Sequence, residues 1–180
     1  WFMSDMTSLA QGGWFGYENP EPLIPAPKIQ QLTDGLAKAT MSLFAPSDIV
    51  EMGSTRDLGQ MLGAIAWYGT HAGSDDMAEQ AASYATDLGD AVESALAGNG
   101  MVENGTANQA ATQGVVGQGL VWASELDSFD YTDTADDVLG YMVEELWDEA
   151  TGTFASGPDD STYAIMARDA GDVTGGVNAA

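Results

Sequence analysis

Two short sequence motifs recur along the chain at a similar interval, and this repetition constrains the fold more than any other feature. The first motif has Gly at one shared position and occupies residues 56–66, 111–121 and 168–178. The second closes on Gly each time and occupies residues 46–53, 98–105 and 150–157. Two independent motifs with a period of about 52 to 57 residues predict a tandem array of structural units.

Two of the stretches between these motifs predict amphipathic helices. Residues 76–97 and 135–150 place apolar side chains three and four positions apart, which is the spacing of one helix face. Asp133 and Thr134 are predicted to cap the second of these helices. Residues 28–45 carry a weaker version of the same pattern. The acidic residues on these helices place them in an outer, solvent-facing layer.

A second kind of helix is predicted where the first motif lies, over residues 55–71, 107–125 and from Arg168 onward. These stretches are rich in Gly and Ala and carry few charges. A Gly inside a helix costs about 1 kcal/mol relative to Ala, so several in register indicate close approach between neighbouring helices. Such helices belong to an inner layer. The predicted fold is therefore all-α and consists of repeated helical hairpins, each with one inner and one outer helix.

Short extended segments are predicted to join the units. They are Ile49-Val50, Met101-Val102 and Thr153-Phe154, and each precedes the Gly that closes the second motif. Residues 158–167 interrupt the third unit and are predicted to form a loop that has no counterpart in the other units. Tyr163 lies in this insertion, which is the best place for a specific function because loops tolerate variation that a packed core does not.

This alternation resembles the six-hairpin, or α/α-toroid, superfamily, in which helical hairpins surround a central funnel. The group includes glycoside hydrolases, N-acylglucosamine 2-epimerase-like proteins and polysaccharide lyases. The resemblance covers residues 24–180 and lies in the architecture and the loop rhythm, most clearly from Leu146 to Phe154 (LWDEATGTF). It implies a partial α/α toroid of roughly half a ring. A right-handed α-solenoid of hairpins is the alternative architecture.

The composition divides the chain into two parts. Residues 1–27 are rich in aromatic residues and Pro and are predicted to form a separate N-terminal segment, extended from Tyr17 to Lys28. Residues 28–180 are predicted to contain the helical-hairpin repeats. The chain starts at Trp1 and ends in sequence typical of the middle of a helix (GGVNAA), so we expect a fragment of a longer domain.

The charge balance predicts a protein adapted to strong brine. Lys and Arg number 4 and Asp and Glu number 28, which gives a formal net charge of −24. The acids are spread along the whole sequence, and such a chain repels itself unless salt screens its charges. The composition resembles that of haloarchaeal proteins. A mesophilic acidic protein such as a Ca²⁺ buffer is the alternative, although the chain lacks the acidic motif of a calcium-binding loop.

The same charge balance excludes two classes of partner. Nucleic acids and anionic membrane surfaces are recognised by Lys- and Arg-rich surfaces, which four basic residues cannot supply. No stretch approaches the ~18 apolar residues that a membrane-spanning helix needs, so no membrane insertion is expected. The sequon Asn104-Gly105-Thr106 is a candidate glycosylation site and favours an extracellular or cell-surface location. The cytoplasm of a high-salt organism is the alternative location.

Few residues suited to metal or redox chemistry are present. The chain has no Cys and a single His, His71, which excludes disulfides, thiolate metal sites and His-rich metal sites. We therefore expect no metal and no cofactor. His71 ends the first inner helix, where a helix cap is a more common role than catalysis.

Five residues are candidate ligand-binding residues. Arg56-Asp57 and Arg168-Asp169 begin two inner helices at equivalent positions. In a toroid these helix starts line the mouth of the funnel, where Arg side chains could bind the carboxylate or hydroxyl groups of a polar ligand. The favoured alternative is a structural ion pair or cap that joins consecutive hairpins. Tyr163 in the inserted loop is the fifth candidate.

The aromatic residues have two interpretations as well. Trp67 and Trp122 occupy matching positions in two inner helices and are predicted to lie in the core. The cluster in the first 17 residues could stack against sugars, although buried core is the favoured interpretation; its members are Trp1, Phe2, Trp14, Phe15 and Tyr17.

Two functions follow from this reasoning. The first is a helical-hairpin scaffold or interaction domain of a secreted or cell-surface halophilic protein. Its partners would be other protein chains or the rest of its own longer chain. The second is a carbohydrate-active enzyme or epimerase-like domain, with glycans bound in the toroid funnel. The sequence identifies no catalytic residues for the second function and leaves enzymatic activity open.

Overall fold

The computed structural model describes residues 25–52, 54–102, 109–126, 130–157 and 160–163. Helices dominate these residues, which confirms the predicted all-α character. The helices are α1 (Ala26–Leu43), α2 (Pro46–Met52), α3 (Thr55–Gly69), α4 (Asp75–Glu93), α5 (Gln109–Ser124) and α6 (Thr132–Glu145). The strands are β1 (Trp147–Asp148), β2 (Thr153–Gly157) and β3 (Asp160–Tyr163).

The two Gly- and Ala-rich helices lie close to their predicted ranges. α3 starts at Thr55 as expected and ends at Gly69, whereas α5 runs from Gln109 to Ser124. The amphipathic helices end earlier than predicted. α4 stops at Glu93 because the chain turns back there, and Leu96 pairs with Val102 in an isolated bridge. α6 stops at Glu145 because β1 follows almost at once.

The predicted caps of α6 are wrong. The residue that precedes its first turn is Tyr131, and no side chain caps the helix there. Thr134 instead donates a hydrogen bond from its hydroxyl to the Glu93 carboxylate at 2.5 Å. This bond joins the start of α6 to the end of α4, so the hydroxyl serves a contact between helices.

One of the predicted extended segments is helical. Ile49 and Val50 lie in α2, whose first residue, Pro46, has the backbone angle that a helix start needs and no amide hydrogen to lose. The prediction is confirmed for Thr153 and Phe154, which belong to β2. Val102 also pairs in the extended conformation, opposite Leu96.

The third unit ends in a small antiparallel sheet with the strand order β1-β2-β3. β1 and β2 are joined by a turn in which the Asp148 carboxylate accepts a hydrogen bond from the Ala150 amide at 2.8 Å. Gly152 in this turn has φ +67, a conformation that favours Gly. β3 occupies residues 160–163, so the prediction of a loop over the whole of 158–167 is wrong there.

The core lies around α3 and α5. α3 packs against α4 and α5, and α5 also packs against α6 and β2. Every residue from 110 to 117 in α5 is buried. The apolar face of α4 completes the core with Ala81, Leu88 and Val92, all fully buried. The two Gly-rich helices are therefore interior elements, as predicted.

Gly residues allow α3 and α5 to approach each other closely. A Cβ atom on Gly119 would lie 2.7 Å from the carbonyl oxygen of Gly59. A Cβ atom on Gly59 would lie 2.8 Å from the Cα atom of Val116. Both distances are far below van der Waals contact, and both involve backbone atoms that cannot rotate away. The close approach predicted from the Gly content is thus present between these two helices.

Carboxylates cover the outside of the molecule. No Asp or Glu is buried among the residues whose side chains the structure describes, and of these only Asp34 and Asp148 are half-buried. Arg56 is the charged residue that the described core encloses. Within the described ranges, none of the helices is both long enough and apolar enough to cross a bilayer.

Candidate functional site

Arg56 and Asp57 lie in the first turn of α3, where both sequence interpretations placed them. The Ser54 hydroxyl accepts a hydrogen bond from the Asp57 amide at 3.3 Å, and the Asp57 carboxylate accepts one from the Ser54 amide at 3.2 Å. This reciprocal pair is a capping box, which satisfies two amide groups at the helix start. Asp57 therefore has a structural role in this turn. The neighbouring Arg56 is only 4% exposed.

The other predicted site residues are not brought together with this turn in the described part of the chain. The backbone of Tyr163 lies in β3 and pairs with Ala155 of β2. Arg168, Asp169 and Asn104 lie outside the described residues, so the predicted mouth of the funnel is described only at α3.

An aromatic cluster lies on α3 and α5 and consists of Trp67, His71 and Trp122. The centroids of the two indole rings are 5.3 Å apart, and the His71 ring lies 4.4 Å from Trp67. All three side chains are partly exposed. The Trp122 ring lies over Gly63, where a Cβ atom would be only 3.3 Å from it. The tryptophans, predicted to lie in the core, are partly buried, and Trp122 packs against the core cluster.

His71 makes polar contacts within the cluster, whereas one buried donor, the Trp67 indole N–H, has no partner in the described structure. His71 Nδ1 lies 2.8 Å from the Trp67 carbonyl oxygen and 2.6 Å from the Thr70 hydroxyl. Both contacts lie at the end of α3, where the sequence predicted a capping role for this residue. The indole Nε1 of Trp67 is buried and has no hydrogen-bond partner in the described structure. The partly exposed ring faces are the part of the cluster that a ligand can reach.

Gln113 organises the neighbouring elements from the centre of α5. Its amide nitrogen donates to the carbonyl oxygens of Gly100 at 3.0 Å and Val138 at 2.7 Å. Its amide oxygen accepts from the Val102 amide at 2.6 Å and from the Gln109 side chain at 2.9 Å. All its hydrogen-bonding capacity is used, and the side chain is fully buried. Sequence reasoning missed this residue because its partners Gly100, Val102 and Val138 lie outside α5.

Three buried tyrosines tie elements together through their hydroxyl groups. Tyr68 donates to the Asp34 carboxylate at 2.6 Å, and Tyr84 donates to the Phe44 carbonyl oxygen at 2.6 Å. Tyr131 lies within hydrogen-bonding distance of the Asp90 carboxylate at 3.3 Å. Burial raises the pKa of all three phenols, and in each case a nearby carboxylate adds to the effect.

Above pH ~10 the free energy of unfolding is expected to fall steeply. A raised pKa in the folded state means that the folded chain keeps the phenol proton longer than the unfolded chain does. The stabilisation is therefore complete below pH ~10 and is lost as the pH rises toward the folded pKa. Each tyrosine contributes a slope of about 1.4 kcal/mol per pH unit in this window. Urea unfolding in molar salt, from pH ~9 to ~11.5, measures the slope.

Single Phe variants provide the control for this pH dependence. Tyr68→Phe and Tyr131→Phe should each make the free energy of unfolding fall less steeply with pH. Each variant lacks one phenol whose pKa differs between the folded and the unfolded chain. A slope that is the same in the parent chain and in both variants would contradict the assignment.

An exposed apolar patch lies where α6 meets the sheet and consists of Val143, Trp147 and Phe154. Trp147 is 43% exposed and Val143 is 50% exposed. The Trp147 ring meets the Phe154 ring edge to face, with 4.9 Å between centroids. This contact fixes the indole at the surface, since Trp147 and Phe154 are paired in the β1-β2 ladder. Trp147 and Phe154 belong to the LWDEATGTF segment, and Val143 precedes it in α6.

The described ranges contain few other groups that could bind a metal ion or a ligand. No three His, Asp or Glu side chains there come together in a group that could hold a metal ion. The features that could engage a ligand or partner are the aromatic cluster and the apolar patch. Comparison of the chain with protein-family models, with curated proteins and with solved structures finds no match.

Proposed function

We propose that this chain is a helical-hairpin scaffold or interaction domain of a secreted or cell-surface protein from a high-salt habitat. The enclosure of α5 is the observation that carries the proposal. Residues 110 to 117 are all buried, and three of the four hydrogen bonds of the Gln113 amide group join α5 to other parts of the chain. An interior helix used in this way supports its neighbours and offers no reactive group to a substrate.

The packing of the helices supports a partial α/α toroid as the architecture. α3 packs against α4, α5 packs against α6, and the two Gly-rich helices meet each other. Two hairpins side by side, with their Gly-rich helices in contact, are what the sequence period of ~52 to 57 residues leads us to expect. An α-solenoid would use the same pairwise contacts and remains the alternative.

The apolar patch supports the interaction role. Exposed apolar groups that lie together on a soluble surface commonly mark a site of contact with another protein. Trp147 is held at the surface by its edge-to-face contact with Phe154, so its exposure is built into the sheet. The patch suits another protein chain, or the rest of a longer chain.

The aromatic cluster favours a second candidate function, a carbohydrate-binding or epimerase-like domain. Trp67 and Trp122 present partly exposed indole rings, and the Trp67 N–H is buried without a partner in the described structure. Sugars are bound by stacking on such exposed rings. His71 lies against the same indole, with Nδ1 2.8 Å from the Trp67 carbonyl oxygen.

Titration with a panel of neutral and acidic oligosaccharides in molar KCl distinguishes the two functions. The scaffold proposal predicts no change in melting temperature and no heat of binding. A shift in melting temperature that Trp67→Ala abolishes would establish the carbohydrate function and overturn the scaffold proposal, because Ala removes the ring on which a sugar would stack. Trp147→Ala is the matched control, since it makes the same change at an indole outside the cluster.

A further inference from the structure

The chain folds back after α4 in a tight turn that contains an Asn-Gly pair, Asn99 and Gly100. The Gly100 amide donates a hydrogen bond to the Ala97 carbonyl oxygen at 3.0 Å, and the Ala97 amide donates one to the Met101 carbonyl oxygen at 2.8 Å. The Asn99 side-chain oxygen accepts a hydrogen bond from the Met101 amide at 3.3 Å. Asn99 is exposed, whereas Gly100 is buried. The turn therefore presents the Asn side chain to water and encloses the main-chain amide that follows it.

An Asn that precedes Gly can lose its side-chain amide without an enzyme. The main-chain nitrogen of the Gly attacks the side-chain carbonyl carbon of the Asn, and a cyclic succinimide forms. The Asn amide nitrogen leaves as ammonia and carries away the proton of the attacking nitrogen. Gly favours this attack because no Cβ hinders its nitrogen. Water then opens the ring at either carbonyl, so the product is Asp or isoaspartate, whose main chain runs through the former side chain and is one carbon atom longer.

We propose that Asn99 is a deamidation site that reacts only when this turn opens. The Gly100 nitrogen must give up its proton to attack, yet in the closed turn that proton lies in a hydrogen bond to Ala97 and the residue is buried. The hydrogen bond from the Met101 amide also holds the Asn99 carbonyl group in place. Deamidation requires both bonds to break, so its rate follows the population of the open turn.

Gln113 controls how often the turn opens. Its buried amide group donates to the Gly100 carbonyl oxygen at 3.0 Å and accepts from the Val102 amide at 2.6 Å, so it holds both sides of the pair that reacts. The turn also packs directly on α6, since a Cβ atom on Gly100 would collide with the Asp137 carbonyl oxygen. Opening would leave these buried polar groups without partners, which is unfavourable. Gln113 therefore protects Asn99 although it does not touch its side chain.

The two products have different consequences for the turn. Asp at position 99 keeps the main chain unchanged and keeps an oxygen that can accept from the Met101 amide. Isoaspartate lengthens the main chain next to Gly100, whose backbone (φ +79) touches α6 and leaves no room for a shift. The Gly100 carbonyl is thereby displaced from Gln113. Formation of isoaspartate thus converts a reversible opening of the turn into a permanent one.

Incubation of the full chain in molar KCl at mildly alkaline pH, with and without urea, tests the proposal. Peptide mapping by electron-transfer fragmentation measures Asp and isoaspartate at position 99. Deamidation of Asn99 should be about tenfold or more slower in the folded chain than in urea. Asn104, which also precedes Gly, reports the reactivity of an unfolded Asn-Gly pair in the urea sample. Equal rates at Asn99 with and without urea would overturn the proposal, as would an Asn99 that stays intact in urea while Asn104 reacts.

Two variants separate opening of the turn from unfolding of the whole domain. Gln113→Met keeps the length of the side chain but removes its hydrogen bonds, so deamidation of Asn99 in the folded variant should rise about tenfold or more. Gly119→Ala is the matched control, because it strains the contact between α3 and α5 and leaves the turn unchanged. A similar rise in both variants would assign the reaction to global unfolding and contradict the proposal, and so would the absence of a rise in Gln113→Met. The comparison with urea needs no variant, so it decides the matter even where Gln113→Met does not fold.

The stability of the products provides an independent measurement. Asn99→Asp supplies one product with an unchanged main chain and should unfold at the same urea concentration as the parent chain. The isoaspartate fraction, separated after prolonged incubation, should unfold at a lower urea concentration. Equal stability of these two forms would rule out the displacement of Gly100 from Gln113.

Discussion

Transfer of the protein from molar KCl to about 0.1 M salt is expected to lower its melting temperature by about 3 to 10 °C. The Debye length grows from ~3 Å to ~10 Å over this change, so carboxylates on neighbouring helix turns begin to repel each other. The described structure leaves no Asp or Glu buried, which makes nearly all of this repulsion sensitive to salt. Thermal unfolding followed by circular dichroism at several KCl concentrations measures the effect.

The size of the effect follows from like-charge pairs within α4 and α6. Acids three or four residues apart on one helix destabilise it by about 0.2 to 0.5 kcal/mol per pair when unscreened. These pairs are Asp75–Glu79, Asp76–Glu79, Asp87–Asp90, Asp90–Glu93, Asp133–Asp136 and Asp133–Asp137. Together they amount to about 1 to 3 kcal/mol. A chain of this size loses about 2 to 4 °C in melting temperature per kcal/mol.

A charge-reduced variant separates screening from other effects of salt. Replacing Asp76, Glu79 and Asp136 by their amides removes three of these pairs and should flatten the salt dependence. Sucrose, which is uncharged, strengthens apolar burial in both proteins alike without screening charges, so at low salt it should not remove the difference between them. A melting temperature that is the same at both KCl concentrations would contradict the proposed adaptation to brine.

Gly119→Ala is expected to lower the free energy of unfolding by about 1 to 3 kcal/mol. The added methyl group would lie 2.7 Å from the Gly59 carbonyl oxygen, a backbone atom of the facing helix. α3 and α5 would have to move apart, and their separation would loosen the packing around Val116. Urea unfolding in molar KCl measures the loss.

Gly140→Ala is the matched control for this substitution. Gly140 also lies inside a helix, α6, but nothing is within 4 Å of the position that its Cβ atom would take. The gain in helix propensity should stabilise the protein by up to about 1 kcal/mol. Opposite signs for the two variants establish that the Gly contact holds the inner helices together. Equal effects would show that the helices do not meet as described.

The helices could be predicted because the relevant forces act between residues close in sequence. Apolar spacing and the Gly-rich motifs located α3 and α5 to within two residues of their observed starts. The predicted helix boundaries were wrong where apolar residues with helical spacing continue beyond the end of the helix. Trp147 fits the apolar stripe of α6 but lies in β1, because the turn through Asp148 and Gly152 folds the chain back.

The candidate site was less predictable because its bonds join distant parts of the sequence. Trp67 and Trp122 were identified by their matching positions, yet nothing in the local sequence showed that both would be partly exposed. Gln113 sits in a stretch of small residues and bonds to Val138, 25 positions away. Tyr68 and Asp34 are 34 positions apart. Such pairs are determined by how the helices pack, and packing emerges only in three dimensions.

The burial of α5 among its neighbours affects how the protein unfolds. In a linear repeat protein each unit touches only its neighbours, so units can unravel one by one from an end. Here α5 contacts α3, α6 and β2 at once, and none of these can leave without exposing it. Local openings of the backbone are thereby confined to the periphery, while amide hydrogens in α5 exchange with solvent only when the whole body unfolds.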